Sequence, residues 1–578
     1  MKNVFDSIPV PRLGRNFFDL SHTHRFDCDA GQIIPCFYQF FMPGDHFKLG
    51  NNIVVRPQPM VRPILTEVKV YTYYFAVSNR IMFGEMVEDS DGVSRWEIKD
   101  RAFERFISGG ETGQDDTIQE PRWNVDSSMD VVNDNWNGIP AGQSGSNLND
   151  INVSVKANGK YSLWDYFGMP VGVDFAPEES VEGNGYSVPK DYLRRAYNLI
   201  YNWYFRDKNF MDEIDVANSN KVMNCCWKKD YFTSALPWTQ RGVAPTLPFT
   251  GHFVANYTHH IPEPTENKID LGHKFSITGD SVVSGSLNLS TGASSGTRLY
   301  LKSGNTLSNY SSLDNHQISA DDMNTAFRVE GDGVTINDLR FAARLQQWME
   351  RNAITGIDYR QFILAHFGVA PADERLQKPL FLGSSINPLW ISEVVQTSES
   401  GTTAQGNLSG HGLTAGSNFV CRYSAKEFGW IIGVMVIKPT ASYQQGVPRY
   451  LLYQNRYEYP FPEFMHLGER EIYKEELYAQ DVNVDPDTHE PLIFGYTGMY
   501  NELRYNSDYV SGGLRDTFNY WHWGRIFGDA PSLNEDFLKM RPDKRIFLVQ
   551  NEPSFVVNIG NVCHSWRPMP KYPVPTLL

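Results

Sequence analysis

The run EVKVYTYYFAVSNRIMF, residues 67–83, constrains the fold more than any other stretch. β-Branched and aromatic residues dominate it, which suits a pleated strand. Read with period two, one set holds Val68, Val70 and Tyr74, and the other holds Tyr71, Tyr73, Phe75 and Val77. Both sets are apolar, so the strand is expected to lie between two layers. Further strands are predicted at IIPCFYQFFM (33–42), FGWIIGVMVI (428–437), RYLLYQNRYEY (449–459), KRIFLVQ (544–550) and SFVVNIG (554–560). Pro, Gly and Asn punctuate the chain between them.

These strands sit at the two ends of the chain, and the middle carries helical spacing. PKDYLRRAYNLIYNWYF places Leu193, Ala196, Tyr197, Ile200 and Tyr204 on one face, with Pro189 near the start. TINDLRFAARLQQWMERN opens with Thr335 and Asp338 in a capping-box-like arrangement. DYRQFILAHFG, 358–368, reads as a third helix, stopped by Gly368. Three stretches are soft. They are the Asn/Gly/Ser-rich 133–160, the Ser/Gly-rich island from Ser276 to Gln317, and 397–418. The island contains alternating segments and reads as a small β-rich excursion. No repeat of fixed period is present. Strands early and late around a long, partly helical middle predict a mainly β fold. The expectation is one elaborated eight-stranded antiparallel jelly roll, residues 1–578, whose loops have grown.

Bulk properties bound the function. The 578 residues carry 52 Lys and Arg against 67 Asp and Glu, a net charge of −15. The balance is uneven: residues 1–80 and 537–578 are mildly basic, and 81–130 is acidic. Six Cys in so long a chain read as reduced thiols, not a disulfide framework. The N-terminus lacks the apolar run of a signal peptide. The longest apolar run, 428–437, is too short to span a bilayer. The expectation is a soluble protein made inside a cell, without membrane insertion.

No catalytic template is met: there is no GxGxxG before a helix, no P-loop, no HExxH and no nucleophile elbow. His22 and His24, and the pair His259–His260, lack further ligands at metal spacing. Cys225 and Cys226 are adjacent and read as buried thiols. Asp89-Ser-Asp-Gly lacks the downstream Glu of a calcium loop, and DPDTHE (485–490) offers carboxylates with no partner set. No cofactor is predicted, although a structural divalent cation at an interface stays open. Nor does any carboxylate pair stand out for glycoside hydrolysis.

Nucleic acid fits better. Arg12 and Arg15 lie in a Pro/Phe-rich arm (1–30), and WHWGR sets two Trp beside Arg525. The C-terminal arm (561–578) interleaves Trp566 and Tyr572 with Arg567 and Lys571. Aromatic stacking combined with phosphate contact holds single strands without sequence preference. The opposing reading is that these arms clamp neighbouring subunits.

Ten segments in order carry a resemblance. They are NFFDLSHTHRFDCDAGQIIP, MPGDHFKLGNNIVVRPQPMVRPI, VKVYTYYFAVSNRIMF, DYFTSALPWTQRG, INDLRFAARLQQWMERN, AHFGVAPADERLQKPLFLG, SYQQGVPRY, HLGEREIYKEELYA, FGYTGMYNELRYN and RPMPKY. Together they resemble the major capsid proteins of microviruses, nearest the gokushovirus branch of small single-stranded DNA phages. The resemblance implies a viral jelly roll in a sixty-copy icosahedral shell around a circular single-stranded DNA genome, assembled in the host cytoplasm. It implies a surface insertion at the three-fold axes, placed at about 251–330. Implied partners are the genome, a small basic DNA-binding protein, an internal scaffolding protein and a minor pilot protein. A host receptor or glycan is a further possibility.

On that reading, Tyr231, Phe232, Pro237, Trp238 and Arg241 of DYFTSALPWTQRG are expected at a subunit interface, since aromatics and Arg dominate interface energetics. The DNA-contact candidates are Arg12, Arg15, Arg525, Trp566, Arg567 and Lys571. The basic termini would face inward and the acidic 81–130 segment outward. The alternative is a jelly-roll carbohydrate-binding protein or glycosidase, and a ring-forming spike or tail component is a third reading.

Overall fold

The computed structural model describes residues 14–88, 92–99, 102–108, 121–123, 130–133, 153–156, 159–172, 189–240, 251–256, 274–276, 301–303, 306–308, 327–331, 336–355, 364–367, 377–395, 408–479 and 491–572. Arg12, Arg241, the DPDTHE segment and most of the three soft stretches lie outside these residues.

Nine strands form one curled antiparallel sheet: β1 (Asn16–Asp19), β2 (His22–Cys28), β3 (Ile34–Phe41), β4 (His46–Pro57), β5 (Val68–Ser78), β6 (Leu380–Val395), β7 (Leu408–Ser424), β8 (Gly429–Pro439) and β9 (Phe555–Arg567). Their order is β1-β9-β4-β7-β6-β5-β8-β3, with β2 also paired to β9. The sheet has two halves, β2-β9-β4-β7 and β3-β8-β5-β6. Strand β6 belongs to both, pairing with β5 over Leu380–Leu389 and with β7 over Trp390–Val395. From β2 onward successive strands alternate between the halves except at β5 and β6, which pair with each other, and this is a jelly-roll-type fold. This sheet holds nine strands among the described residues, one more than expected, because the N-terminal arm adds the short β1.

The core fills the space between the halves. Val68, Val70, Thr72 and Tyr74 of β5 and Phe47, Leu49, Asn51, Ile53 and Val55 of β4 are all buried. A polar seam crosses this interior. Asn51 Nδ2 donates to Thr72 Oγ1 (2.9 Å), Ser385 Oγ (3.1 Å) and Tyr74 OH (3.2 Å). Asn418 Nδ2 donates to Asn387 Oδ1 at 3.1 Å. Buried amides tolerate this position because they bond to one another. Gly416 makes room for the seam: a Cβ there would sit 2.1 Å from Asn387 Oδ1.

The second apolar set of β5 is covered as its pattern requires. Helix α1 (Tyr192–Ile200) runs into a wider π-type turn, Tyr201–Phe205. That turn lays Tyr204 against Phe75 (ring centroids 4.8 Å apart) and Phe205 against Tyr73 (5.5 Å). Tyr192 stacks near Trp430 of β8, and Phe167 meets Tyr38 of β3 edge-on. The outer face of this half is therefore roofed by the connection between β5 and β6.

Three expectations need correction. RYLLYQNRYEY is a 3-10 turn at Arg449–Leu451 followed by loop, and KRIFLVQ makes only an isolated bridge, Phe547 with Met60. Both are apolar enough for a strand, but Pro448 and Pro460 flank the first. In the second, Ile546 and Phe547 are buried while Leu548 and Val549 are exposed, so it lacks strand alternation. Conversely, the third soft stretch runs into β7: its residues pair with β6 as far as Leu413 and with β4 from Thr414 onward, and small Gly, Ser and Ala side chains fit at this crossing.

Residues Gly242–Met349 form a second compact unit. It contains a three-stranded antiparallel sheet, Lys274–Ser276, Gly251–Asn256 and Phe327–Gly331, and a hairpin, Leu301–Ser303 with Thr306–Ser308. The sequence-predicted helix at 335–352 is α2 (Ile336–Thr355).

Candidate nucleic-acid interface

Apart from the corner where Tyr161 donates its hydroxyl to Asp27 Oδ2 (3.4 Å), the outer face of the β2-β9-β4-β7 half has no roof among the described residues. Alternation places Thr23, Arg25 and Asp27 of β2 outward, as it does Val556, Asn558, Gly560, Val562, His564 and Trp566 of β9. Lys48, Gly50, Asn52, Val54 and Arg56 of β4 face the same way, as do Leu413, Ala415, Ser417, Phe419 and Arg422 of β7. Register lines them into rows across the strands. Arg422, Lys48 and His564 form one row, and Ala415, Val54, Asn558 and Arg25 another. The middle row, Ser417, Asn52, Gly560 and Thr23, is small and flat.

Four cations stand on this face, Arg25, Lys48, Arg56 and Arg422, and all four are exposed. None forms an ion pair with another described residue, and Asp19 and Asp27 are the only acidic side chains on these rows. Ser21 holds the Asp19 carboxylate below its usual range by hydrogen bonding, and burial pushes the Asp27 carboxyl up. Aromatic rings sit among the cations. Phe419 is 59% exposed with Lys48 Nζ 6.0 Å from its centroid. Trp566 and Phe17 lie 5.5 Å apart at one edge, and Phe17 is as close to His564. At the other edge Trp390, 72% exposed, stands opposite Leu413. A flat sheet bearing unpaired cations and open rings can contact phosphates and stack bases.

The sequence-predicted contacts divide. Trp566 lies on this face. Arg15 is exposed, and its Nε donates to Gly44 O (2.7 Å), bracing the turn between β3 and β4. Lys571 is exposed beside Tyr572. Arg567 turns the other way: it donates to Phe40 O (2.6 Å), pairs with the buried Asp45 carboxylate (3.4 Å) and covers Phe47. Arg525 is half-buried, donates to Phe537 O (2.7 Å) and lies over the Phe537, Trp227 and Phe527 rings. Arg25, Lys48, Arg56, Arg422 and Phe419 were not singled out from the sequence. For Lys48 and Arg56 the signal is the alternation in HFKLGNNIVVRP, where every second residue from Phe47 to Val55, apart from Asn51, is apolar and the others are polar, small or valine.

Among the predicted interface residues, Phe232 packs inside the subunit. It meets Tyr443 (4.9 Å) and Phe494 (6.3 Å) in a satellite core with Ile472, Leu477 and Phe537. Tyr231 donates its hydroxyl to Glu476 Oε2 (2.9 Å), and burial beside that carboxylate raises its pKa. Pro237 is exposed and Trp238 half-buried.

No group of three or more His, Cys, Asp or Glu converges on a cation position among the described residues. All six Cys are free, and five are buried. No helix among the described residues is long and apolar enough to cross a membrane.

The comparisons agree on one class. Residues 7–92 and 141–577 match the family model described as capsid protein (F protein). The chain is 28% identical to the capsid protein VP1 of Chlamydia phage 1, over all of this chain and 98% of that relative. It is 27% identical to VP1 of Bdellovibrio phage phiMH2K, over 99% and 97% of the two chains. VP1 of Spiroplasma virus 4 is 26% identical, over 95% and 93%. With a jelly-roll-type sheet and a family match across most of its length, the chain belongs to the F-protein family of capsid proteins, a structural and non-enzymatic component of the virion.

Proposed function

We propose that the unroofed half-sheet lines the inside of the shell and holds a single-stranded DNA genome. Capsid membership implies assembly with copies of itself, and sixty copies is the number the microvirus resemblance carries. The reading rests on one observation: four exposed cations without ion-pair partners share a flat sheet face with open aromatic rings. Arg25, Lys48, Arg56 and Arg422 contact phosphates, while Phe419, Trp566 and Phe17 stack bases, with no sequence preference required. Lys571 and Arg15 extend the basic surface from the two arms.

The remaining partners follow the resemblance. Pro237 and Trp238 are offered to a neighbouring copy, and the 251–330 insertion to the exterior and a host receptor. A small basic DNA-binding protein, an internal scaffold and a pilot protein complete the particle. The test is fluorescence anisotropy of the purified full chain with oligo(dT) across a salt series. Four phosphate contacts give a slope of log affinity against log salt of about −3. A slope near zero removes the assignment of these cations.

A further inference from the structure

The connection between β8 and β9 carries apolar side chains where a surface loop is ordinarily polar. In the run RYLLYQNRYEYPFPEFMHL, residues 449–467, Tyr450, Leu451, Tyr457, Tyr459, Phe461 and Leu467 are each 47–67% exposed. At about 200 Å² per residue they leave on the order of 700 Å² open. The largest apolar patch of a typical monomer is roughly 300–600 Å². One partner gives about 800 Å² to a standard protein interface. Rings touch along the run: Tyr459 packs on Tyr453 (centroids 5.4 Å apart), and Phe464 meets Phe461 (6.0 Å) and Tyr457 (6.5 Å). The run contains no Lys, and Tyr, Phe, Met and Arg are the residue types that interfaces enrich.

The run has only two 3-10 turns of its own, Arg449–Leu451 and Pro462–Phe464, and is braced from beneath by buried charge. Arg449 pairs with Glu476 (3.4 Å), both buried, and lies over the Tyr473 ring (3.6 Å). Arg470 pairs with Glu502 (2.8 Å), again both buried, and faces the rings of Tyr453 (5.2 Å) and Tyr500 (5.6 Å). Tyr453 donates its hydroxyl to Glu502 Oε1 (2.8 Å), and Tyr500 donates its own to Tyr459 O (3.0 Å). Buried ion pairs are weak evidence for stability, but these hold the run in one shape. A surface ordered before contact loses less entropy on binding. Glu476 also accepts from Tyr231, which ties the ridge to the connection that leads to Pro237 and Trp238.

We propose that this ridge is where one copy of the chain meets another. Capsid membership supplies a second copy as the partner, and the charge on the ridge fits one. Its exposed charged side chains are Arg456 and Glu463, one of each sign. Glu458 is half-buried and occupied, accepting from Asn455 Nδ2 (2.7 Å) and Gln454 N (3.1 Å). A balanced apolar surface attracts neither a polyanion nor a strongly basic protein, whereas it suits a contact whose core is dry. Leu451, Tyr457 and Phe461 are the anchors. This inference goes beyond genome binding and does not depend on it.

The test is sedimentation velocity of the purified full chain across a concentration series. Leu451→Ala and Tyr457→Ala, at positions 67% and 61% exposed, are combined in one variant. Together they are expected to raise the concentration for half-association roughly a hundredfold. Melting temperature and oligo(dT) affinity are expected to stay at the parent values. p-Benzoylphenylalanine in place of Tyr457 gives a second readout that leaves the rest of the ridge intact. Irradiation is expected to yield a covalent dimer whose joined peptides both come from this chain, and this decides the matter if the double variant misfolds. Equal association of parent and double variant overturns the proposal, as does a parent chain that stays monomeric throughout the series. An associating chain that yields no covalent dimer also overturns it and leaves the ridge to a different partner, such as a host receptor.

Discussion

The two outer faces of the sandwich differ in what they ask of the rest of the chain. On the β3-β8-β5-β6 half, Tyr73, Phe75 and Trp430 are large and apolar, and the connection after β5 folds back over them with Tyr192, Tyr204 and Phe205. On the β2-β9-β4-β7 half, the corresponding positions are Gly50, Asn52, Ala415, Ser417 and Gly560, framed by cations. The first face is completed by the chain itself, and the second is left for something polyanionic. The lesson is that outward side chains decide which half of a jelly roll acquires a roof, since both halves share one interior and nearly equal strand lengths.

The sharpest way to break this contrast is to truncate one ring on each face. Phe75→Ala should cost about 3–5 kcal/mol in denaturant unfolding, because it opens a cavity beneath Tyr204 and Phe205. Phe419→Ala should change stability by no more than about 0.5 kcal/mol, being exposed, while weakening oligonucleotide binding. Equal losses of stability would erase the distinction. Next in size, replacing Arg25, Lys48, Arg56 and Arg422 together by Gln should flatten the salt slope and weaken oligo(dT) binding at low salt roughly a hundredfold. The melting temperature should stay close to that of the parent chain, since no described ion pair is lost. An unchanged slope would move the genome contact elsewhere.

Between the faces lies the shared seam. Gly416→Ala should destabilise by about 1–3 kcal/mol through the clash with Asn387 Oδ1, and pairing it with Asn387→Ala should recover part of the loss. The smallest effect should lie away from both faces. Burial and the neighbouring Glu350 carboxylate raise Glu469 to about 7. Its folded form keeps a proton that the unfolded chain releases near its ordinary value of 4.5, so stability falls as pH rises between those values. Its share should be on the order of 1 kcal/mol after solvent screening, and Glu469→Gln should remove that share while leaving the one from Glu476, which burial also raises to about 7. A rise in stability over the same interval would show that the carboxylate is held as an anion.

Strands covered on both faces are legible from pattern: β5 and β8 carry mostly apolar residues in both alternating sets, and β3 is interrupted only at Gln39. The bare half was harder to read because its strands spend alternate positions on Gly, Asn, Ser and charge. Thus β4 is not among the strands predicted from sequence, and the first part of β7 falls in the soft stretch 397–418. The same property hid the candidate site, since Lys48 and Arg56 are unremarkable until register sets them beside Arg422 and Arg25. Arg567 stands beside aromatics in the sequence, yet it is used internally, paired with Asp45. Local sequence shows which residues can stack on one another; only the strand pairing shows which of them face outward.

Strand β9 is central to the unroofed half, held between β2 at the start of the chain and β4. It lies far from both in sequence, so β2 and β4 each keep an open edge until this long-range pairing forms. Lateral closure by one distant strand thereby ties the continuity of the whole floor to a single non-local event, and a fault in β9 splits the surface instead of merely denting it.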